Sequence, residues 1–222
     1  MNETDPVILN RLDSIYPKAV VSGILGLAIC VASWVIMPDA FFPAYLVAFL
    51  FWLGISLGSV SITMLHHTVG GGWGLMIRRP MEAAGMILPA LALLFVPIAF
   101  GLQHLYPWAV AGAYHRENVA RNYLNPTAFL IRAGTYFAIW CVFAYLLNRW
   151  SLRQDVVDDE GPTNRLKMLS APGLAICFLT GSFASIDWMM SLEPEWYSSI
   201  YGAMVITGFG LATFTTMILV AC

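Results

Sequence analysis

Six long stretches of continuously apolar residues run along the chain, separated by shorter polar segments. An α-helix needs about 20 mainly apolar residues to cross the hydrocarbon core of a bilayer. Because apolar residues fill each stretch and do not alternate with polar ones, the pattern predicts transmembrane helices and argues against a β-barrel. The predicted spans are 19–37, 44–65, 81–101, 127–147, 171–190 and 199–222. We expect an all-α polytopic membrane protein in which helices two to five form a four-helix bundle.

The segment before the first span has a different pattern. Apolar residues from Ile8 to Tyr16 recur at helical spacing, with polar residues between them. This favours a short helix on the membrane surface that ends at Pro17. We therefore divide the chain into an interfacial segment at 1–18 and a transmembrane domain at 19–222. The last span ends without an aromatic or basic anchor, so we expect the chain to be part of a longer protein.

Composition agrees with a membrane protein and excludes several other classes. Of the 222 residues, 59% are hydrophobic and only 11% are charged, whereas soluble domains carry about 25% charged residues. The formal net charge of −2 offers no basic field for nucleic acid. The four cysteines are far apart in apolar runs, and no spacing suits a zinc or iron–sulfur site. We expect no metal ligands in this chain.

The distribution of cations predicts the orientation in the membrane. If the spans alternate, the N-terminus and the loops 66–80 and 148–170 share one face. Eight of the 11 Lys and Arg residues fall on that face, and two lie in the loops of the other. By the positive-inside rule, the N-terminus is expected to be cytoplasmic. The eight cations are Arg11, Lys18, Arg78, Arg79, Arg149, Arg153, Arg165 and Lys167.

Ionisable residues inside spans are costly, and they are therefore candidate functional residues. Arg132 and Asp187 lie at similar depths from the non-cytoplasmic face, so we predict that they contact each other. Tyr136 is one helical turn from Arg132, and His104 ends the third span at the same face. These four residues are a candidate quinone or proton site. A pair that only locks two helices together is the alternative.

A second polar group is predicted at the cytoplasmic face. Hydroxyl and imidazole side chains recur at helical spacing along one side of the second span, and Glu82 opens the next span. Such a stripe could take up protons through bound waters. Alternatively, small residues such as Gly54 and Gly58 simply allow close helix packing. The stripe consists of Ser56, Ser59, Thr63 and His66, and it ends beside His67.

The chain contains six distinctive short segments. They are LHHTVGGGWG at 65–74, RRPMEAA at 78–84, LYPWA at 105–109, YLN at 123–125, FLIR at 129–132 and DWMMSLEP at 187–194. In this order they resemble the F subunits (ActF) of bacterial alternative complex III, a quinol:cytochrome c oxidoreductase. Those subunits belong to the NrfD-like superfamily of polysulfide-reductase membrane anchors. The resemblance covers roughly residues 15–222.

The resemblance carries expectations about architecture and partners. It implies a protein of ten transmembrane helices in two four-helix bundles, of which this chain is an N-terminal portion. It also implies a bacterial inner-membrane location and three kinds of partner: a homologous membrane subunit, an iron–sulfur subunit and c-type cytochrome subunits. Haem c and iron–sulfur clusters would then lie on those partners, and a menaquinone-type quinol would supply electrons.

The resemblance also suggests roles for the candidate residues. Asp187, Arg132 and His104 would face the periplasm, and His66, His67 and Glu82 would face the cytoplasm. The chain would provide a quinone site, a proton path or both. Two other functions stay open: a secondary transporter, for which Pro89 and Pro97 in the third span are a hint, and a structural anchor for redox subunits.

Overall fold

The computed structural model describes residues 6–110, 123–156 and 161–221. The chain is an all-α polytopic membrane protein: it is 85% helical, and the described residues contain no strand. The helices are α1 (Pro6–Ile36), α2 (Pro38–Val69), α3 (Arg78–Gly85), α4 (Leu88–Leu94), α5 (Val96–Phe100), α6 (Leu102–Leu105), α7 (Pro126–Gln154), α8 (Gly161–Trp188) and α9 (Tyr201–Ala221). Two 3₁₀ turns lie at Pro107–Ala109 and Met190–Leu192.

Six segments of the described chain are long and apolar enough to cross a membrane, which confirms the predicted number of spans. Several are longer than the apolar pattern predicts, because polar residues at their ends continue the helix. The segments are Ile15–Ile36, Pro38–Val69, Arg78–Phe100, Pro126–Gln154, Gly161–Leu192 and Tyr201–Ala221.

The chain divides into two compact units, residues 1–44 and 45–222. In the first unit, α1 is one helix of 31 residues with Pro17 inside it. The prediction of a separate surface helix that ends at Pro17 is therefore wrong. Proline removes only one N–H from the helical ladder, and here the helix continues on both sides of it.

The third span, which the sequence predicts at 81–101, is broken twice. Turns at Met86–Ile87 and at Phe95 separate α3, α4 and α5. Pro89 and Pro97 stand in the first turns of α4 and α5, where the absence of a proline N–H costs nothing. Because neither proline can donate to the preceding turn, the ladder is interrupted just before each of them.

An aromatic core holds four spans together in the second unit. Trp188 at the end of α8 is 1% exposed. Its ring centroid lies 6.3 Å from that of Phe49 in α2, 4.9 Å from that of Phe95 and 5.6 Å from that of Phe137 in α7. These contacts join the second to fifth spans, as the four-helix bundle prediction requires. Aromatic pairs at such distances contribute about 0.5–1.5 kcal/mol each beyond area burial.

Helix α9 packs against α2 through two glycines. A Cβ atom on Gly54 would lie 2.5 Å from the Phe209 ring, and one on Gly58 would lie 2.9 Å from the Phe209 carbonyl oxygen. The Thr213 hydroxyl of α9 lies 3.2 Å from the Ile55 carbonyl oxygen and 2.9 Å from the Phe209 carbonyl oxygen of its own helix. The two glycines therefore allow close helix approach, as small residues do at membrane helix interfaces.

Replacing Gly58 with alanine is expected to destabilise the protein by about 1–3 kcal/mol, because the new methyl group overlaps α9 backbone that cannot move aside. Gly208→Ala on α9 is the matched control, since nothing lies within 4 Å of a Cβ atom there. Thermal unfolding in detergent micelles measures both. Equal stability of the two variants would show that the α2–α9 contact is not close packed.

Candidate functional site

Asp187 is the centre of a buried polar cluster at one end of the bundle. Its side chain is fully buried, with 0% exposure. Arg132 binds it with two hydrogen bonds, Nε to Oδ2 at 2.8 Å and Nη2 to Oδ1 at 2.9 Å. The Tyr136 hydroxyl donates to Oδ2 at 2.9 Å. The predicted contact between Arg132 and Asp187 is confirmed, and Tyr136 joins it.

The start of α7 positions Arg132. Asn125 is the N-cap of this helix, and its side chain accepts a hydrogen bond from the Ala128 N–H at 2.8 Å. Pro126 follows at the first helical position, where proline is favoured. This cap fixes where the helix begins, and Arg132 therefore lies less than two turns inside it. Its Nη1 also donates to the Tyr123 carbonyl at 3.1 Å.

The end of α8 positions Asp187. The last carbonyls of a helix have no partner within the helix, and here side chains bond two of them. Tyr106 donates to the Trp188 carbonyl at 3.0 Å, and Ser191 donates to the Asp187 carbonyl. Burial raises the pKa of Tyr106, and the Asp187 charge adds to this. Tyr106 therefore stays a neutral donor at physiological pH.

Tyr123 covers the cluster from the segment before α7. The Arg132 guanidinium lies over its ring, 4.0 Å from the centroid, which is a favourable cation–π geometry. Burial and the nearby Asp187 carboxylate raise the pKa of Tyr123 to about 12. The phenol therefore carries its proton throughout the physiological pH range.

This raised pKa predicts a pH dependence of stability. A phenol with a folded pKa of about 12 against an ordinary value of 10.0 stabilises the fold fully below pH 10. The unfolded chain loses this proton first, so that the contribution falls as pH rises from 10 to 12. We expect Tyr123→Phe to lose stability less steeply than wild type in that range. Thermal unfolding at stepped pH measures this, with the exposed Tyr197→Phe as control. Equal slopes for Tyr123→Phe and wild type would contradict the prediction.

A cavity of about 240 Å³ adjoins the cluster. Tyr123 and Ser191 line one part of it, and Met190, Trp196 and Tyr197 contribute apolar and aromatic surface. Drug-sized ligands occupy pockets of about 300–1,000 Å³, so this volume suits a single ring and not a whole lipid-like molecule.

A second polar cluster surrounds Glu82 in α3. Its carboxylate accepts from Arg78 Nε at 2.9 Å and from Arg79 Nη1 at 2.6 Å. Ser151 near the end of α7 donates to the same carboxylate, and Arg79 also pairs with Asp155. The side chain of Glu82 is 3% exposed, and three donors compensate for the burial of its charge.

The two adjacent histidines end the polar stripe of α2. His66 is 6% exposed and His67 is 9% exposed. Neither His66 Nδ1 nor His67 Nε2 has a hydrogen-bond partner within the described part of the chain. Gly74 packs directly on the His66 ring, where a Cβ atom would lie 2.6 Å from Nδ1. The glycine-rich segment after α2 is therefore part of the histidine environment.

The hydroxyl groups of the stripe differ from one another. Ser59 donates to the Ile55 carbonyl of its own helix at 2.7 Å. Thr63 is 2% exposed, and its hydroxyl has no partner among the described residues. Both side chains lie inside the bundle, as does Ser56.

The structure assembles some predicted site residues and not others. His104 lies on the exposed surface of α6, and the described hydrogen bonds to the Asp187 side chain come from Arg132 and Tyr136 alone. The prediction that His104 belongs to this cluster is not supported by these contacts. His115, the fourth histidine of the sequence, lies outside the described residues. Nowhere in the described ranges do three His, Cys, Asp or Glu side chains form a group that could hold a metal ion.

Sequence reasoning missed the residues that bind Glu82. Arg78 and Arg79 stand four and three positions before it, and this spacing alone predicts helical ion pairs. Ser151 and Gln154 are about 70 residues away, and no local pattern connects them with Glu82. Gln154 accepts from Arg78 Nη2 at 2.6 Å, so the end of α7 completes the cluster.

Both clusters contain buried carboxylates that are held in place by cationic and hydroxyl donors. Each carboxylate is charged and acceptor-only while it stays ionised, so that it can receive a hydrogen bond or a proton from an adjacent ligand or water.

Comparison with protein-family models finds none that matches this chain, and comparison with curated proteins finds no significant similarity.

Proposed function

We propose that this chain is a membrane subunit of a respiratory quinol:cytochrome c oxidoreductase of the alternative complex III type. In this role it supports quinone binding, proton movement or both. The observation that carries the proposal is the fully buried Asp187 carboxylate, held by Arg132 and Tyr136 beside a ring-sized cavity. Intramembrane ionisable groups of this kind mark substrate or proton pathways.

The separation of the two clusters supports this role. Arg132 and Ser151 belong to one helix, α7, and they are 19 residues apart. At 1.5 Å per residue, the clusters lie about 28 Å apart along the helix axis. This matches the roughly 30 Å hydrocarbon thickness of a bilayer. This spacing supports a placement of one cluster at each membrane boundary, with Glu82 at the cation-rich face that the sequence predicts to be cytoplasmic.

The cavity residues suit a quinone ring. The Ser191 hydroxyl donates its hydrogen to the Asp187 carbonyl, so its oxygen can accept a hydrogen bond from a quinol hydroxyl. Tyr123, Trp196 and Tyr197 bring aromatic surface. A quinol would supply two electrons to redox centres on partner subunits and release two protons. This chain would bind and orient the ring. The Asp187 carboxylate would accept one of the two protons, and water at the adjoining membrane face would accept the other.

The order of the distinctive segments supports the assignment to this class of complex and its partners. These partners are a homologous membrane subunit, an iron–sulfur subunit and c-type cytochromes, and the complex would lie at the bacterial inner membrane. The bundle gives less support to a secondary transporter. Broken helices in transporters surround polar midplane sites, whereas the breaks at Met86–Ile87 and Phe95 lie beside aromatic and aliphatic side chains such as Phe49 and Leu88.

Quinol oxidation and proton release in proteoliposomes of the whole complex test the proposal. Asp187→Asn should lower both by about 100-fold, the lower end of general acid–base effects. Glu195→Gln is the matched control, since this exposed carboxylate is on the same side of the bundle and outside the cluster. Unchanged rates in a normally assembled Asp187→Asn complex would overturn the site assignment. If Asp187→Asn lowers the yield of assembled complex but each assembled complex turns over at the wild-type rate, the chain is a structural anchor.

A further inference from the structure

A small cavity lies where α2, α3 and α7 meet. Its volume is about 10 Å³, and Thr63, Glu82 and Asn148 contribute its polar lining. A single water molecule needs about 10–15 Å³ of such space and two to four polar partners. The cavity therefore has the size and the partners for one water.

Thr63 differs from its neighbours on α2 in its hydrogen bonding. Ser59, Ser61 and Thr68 each donate to the carbonyl four residues earlier, at 2.7–2.9 Å. Thr63 makes no such bond, although its side chain is 2% exposed. Leaving a buried hydroxyl without a partner costs about 1–3 kcal/mol. A partner inside the cavity would remove this cost.

The Glu82 carboxylate can accept a further hydrogen bond. Its Oε1 accepts from Arg78 and Ser151, while Oε2 accepts from Arg79. A carboxylate has about four lone-pair sites, so Oε2 can accept one more hydrogen bond. Glu82 lines the cavity together with Thr63.

We propose that one ordered water occupies this cavity, accepting a hydrogen bond from the Thr63 hydroxyl and donating one to Glu82 Oε2. The Asn148 carboxamide is its third polar neighbour. The water connects the Glu82 cluster with the Thr63 hydroxyl inside the bundle. Its presence follows from the cavity and its lining alone. Its use in proton exchange at Glu82 rests on the proposed function.

A structure of the complete complex at a resolution that shows internal waters tests the site directly. We expect a density peak within hydrogen-bonding distance of Thr63 Oγ1 and Glu82 Oε2, and we expect it to be absent in Thr63→Val. An empty cavity in the wild type, with comparable waters visible elsewhere, would overturn the proposal. Rotation of Thr63 onto the Ser59 carbonyl would do the same.

Infrared spectroscopy of the same complex is a second test. It compares several variants, so it still decides the matter if one of them fails to fold. The carboxylate stretch of Glu82, assigned with Glu82→Gln, should shift in Thr63→Val and stay at its wild-type frequency in Thr63→Ser. Thr68→Val is the matched control, because its hydroxyl bonds only its own helix. An equal shift in Thr68→Val, or a shift in Thr63→Ser, would contradict the water bridge. Neither the water density nor the infrared shift depends on turnover. A complex that contains the water but does not oxidise quinol would therefore overturn the proposed function and leave the water site intact.

Discussion

Asp187→Leu should destabilise the protein by about 3–5 kcal/mol, the cost of leaving one member of a buried ion pair without its partner. Arg132 would keep its charge while its side chain is only 20% exposed. Tyr136 would also lose the acceptor of its hydrogen bond. Denaturant-induced unfolding in mixed micelles measures the loss, and exposed Glu195→Leu should change stability by less than about 0.5 kcal/mol.

A double-mutant cycle separates the pair from its surroundings. Removing both charges leaves no uncompensated ion, so that Arg132→Leu with Asp187→Leu should cost clearly less than the sum of the single variants. An additive result would mean that the two side chains do not stabilise each other. A loss below about 1 kcal/mol for Asp187→Leu would conflict with its burial.

The second large effect concerns Glu82. Arg78 and Arg79 both pair with the Glu82 carboxylate, and the Arg78 side chain is only 14% exposed. Glu82→Leu would leave these two positive charges side by side without the carboxylate that they share. We expect a loss of about 3 kcal/mol, at the lower end for buried pairs, because Arg79 is 43% exposed and solvent screens its share. Glu82→Gln keeps the shape and one acceptor oxygen, so it should cost about half as much.

Asp155→Asn is the control for this effect. Asp155 pairs with the same Arg79, but its side chain is 53% exposed. Surface pairs contribute about 0–1 kcal/mol, and the control should therefore be nearly neutral. Thermal unfolding of the three variants under one condition decides the matter. If Glu82→Leu is as mild as Asp155→Asn, the cluster is not a buried network.

The sequence predicts the contacts that depend on depth in the membrane. Arg132 and Asp187 lie near the same end of their spans. Because an unpaired charge in the membrane is costly, their contact is predicted from depth alone. Tyr136 follows from its position one turn away. The aromatic core around Trp188 has no comparable signal, because aromatic residues are spread over all spans and helical phase alone does not show which ones meet.

Other features depend on contacts that the sequence does not encode locally. Pro17 lies inside a continuous helix, whereas Pro89 and Pro97 each follow a break, and the same residue type therefore predicts two different outcomes. Ser151 reaches Glu82 only because α7 packs beside α3. Thr63 and Ser59 are indistinguishable as members of a polar stripe, yet only Ser59 bonds its own helix.

Purification of the native protein in mild detergent tests the central claim most directly, with identification of companions by mass spectrometry and a reduced-minus-oxidised spectrum. We predict that iron–sulfur and multihaem c-type cytochrome subunits co-purify with this chain and that the spectrum shows haem c. A colourless protein without redox companions, in a detergent that preserves known respiratory complexes from the same membranes, would contradict the proposed function.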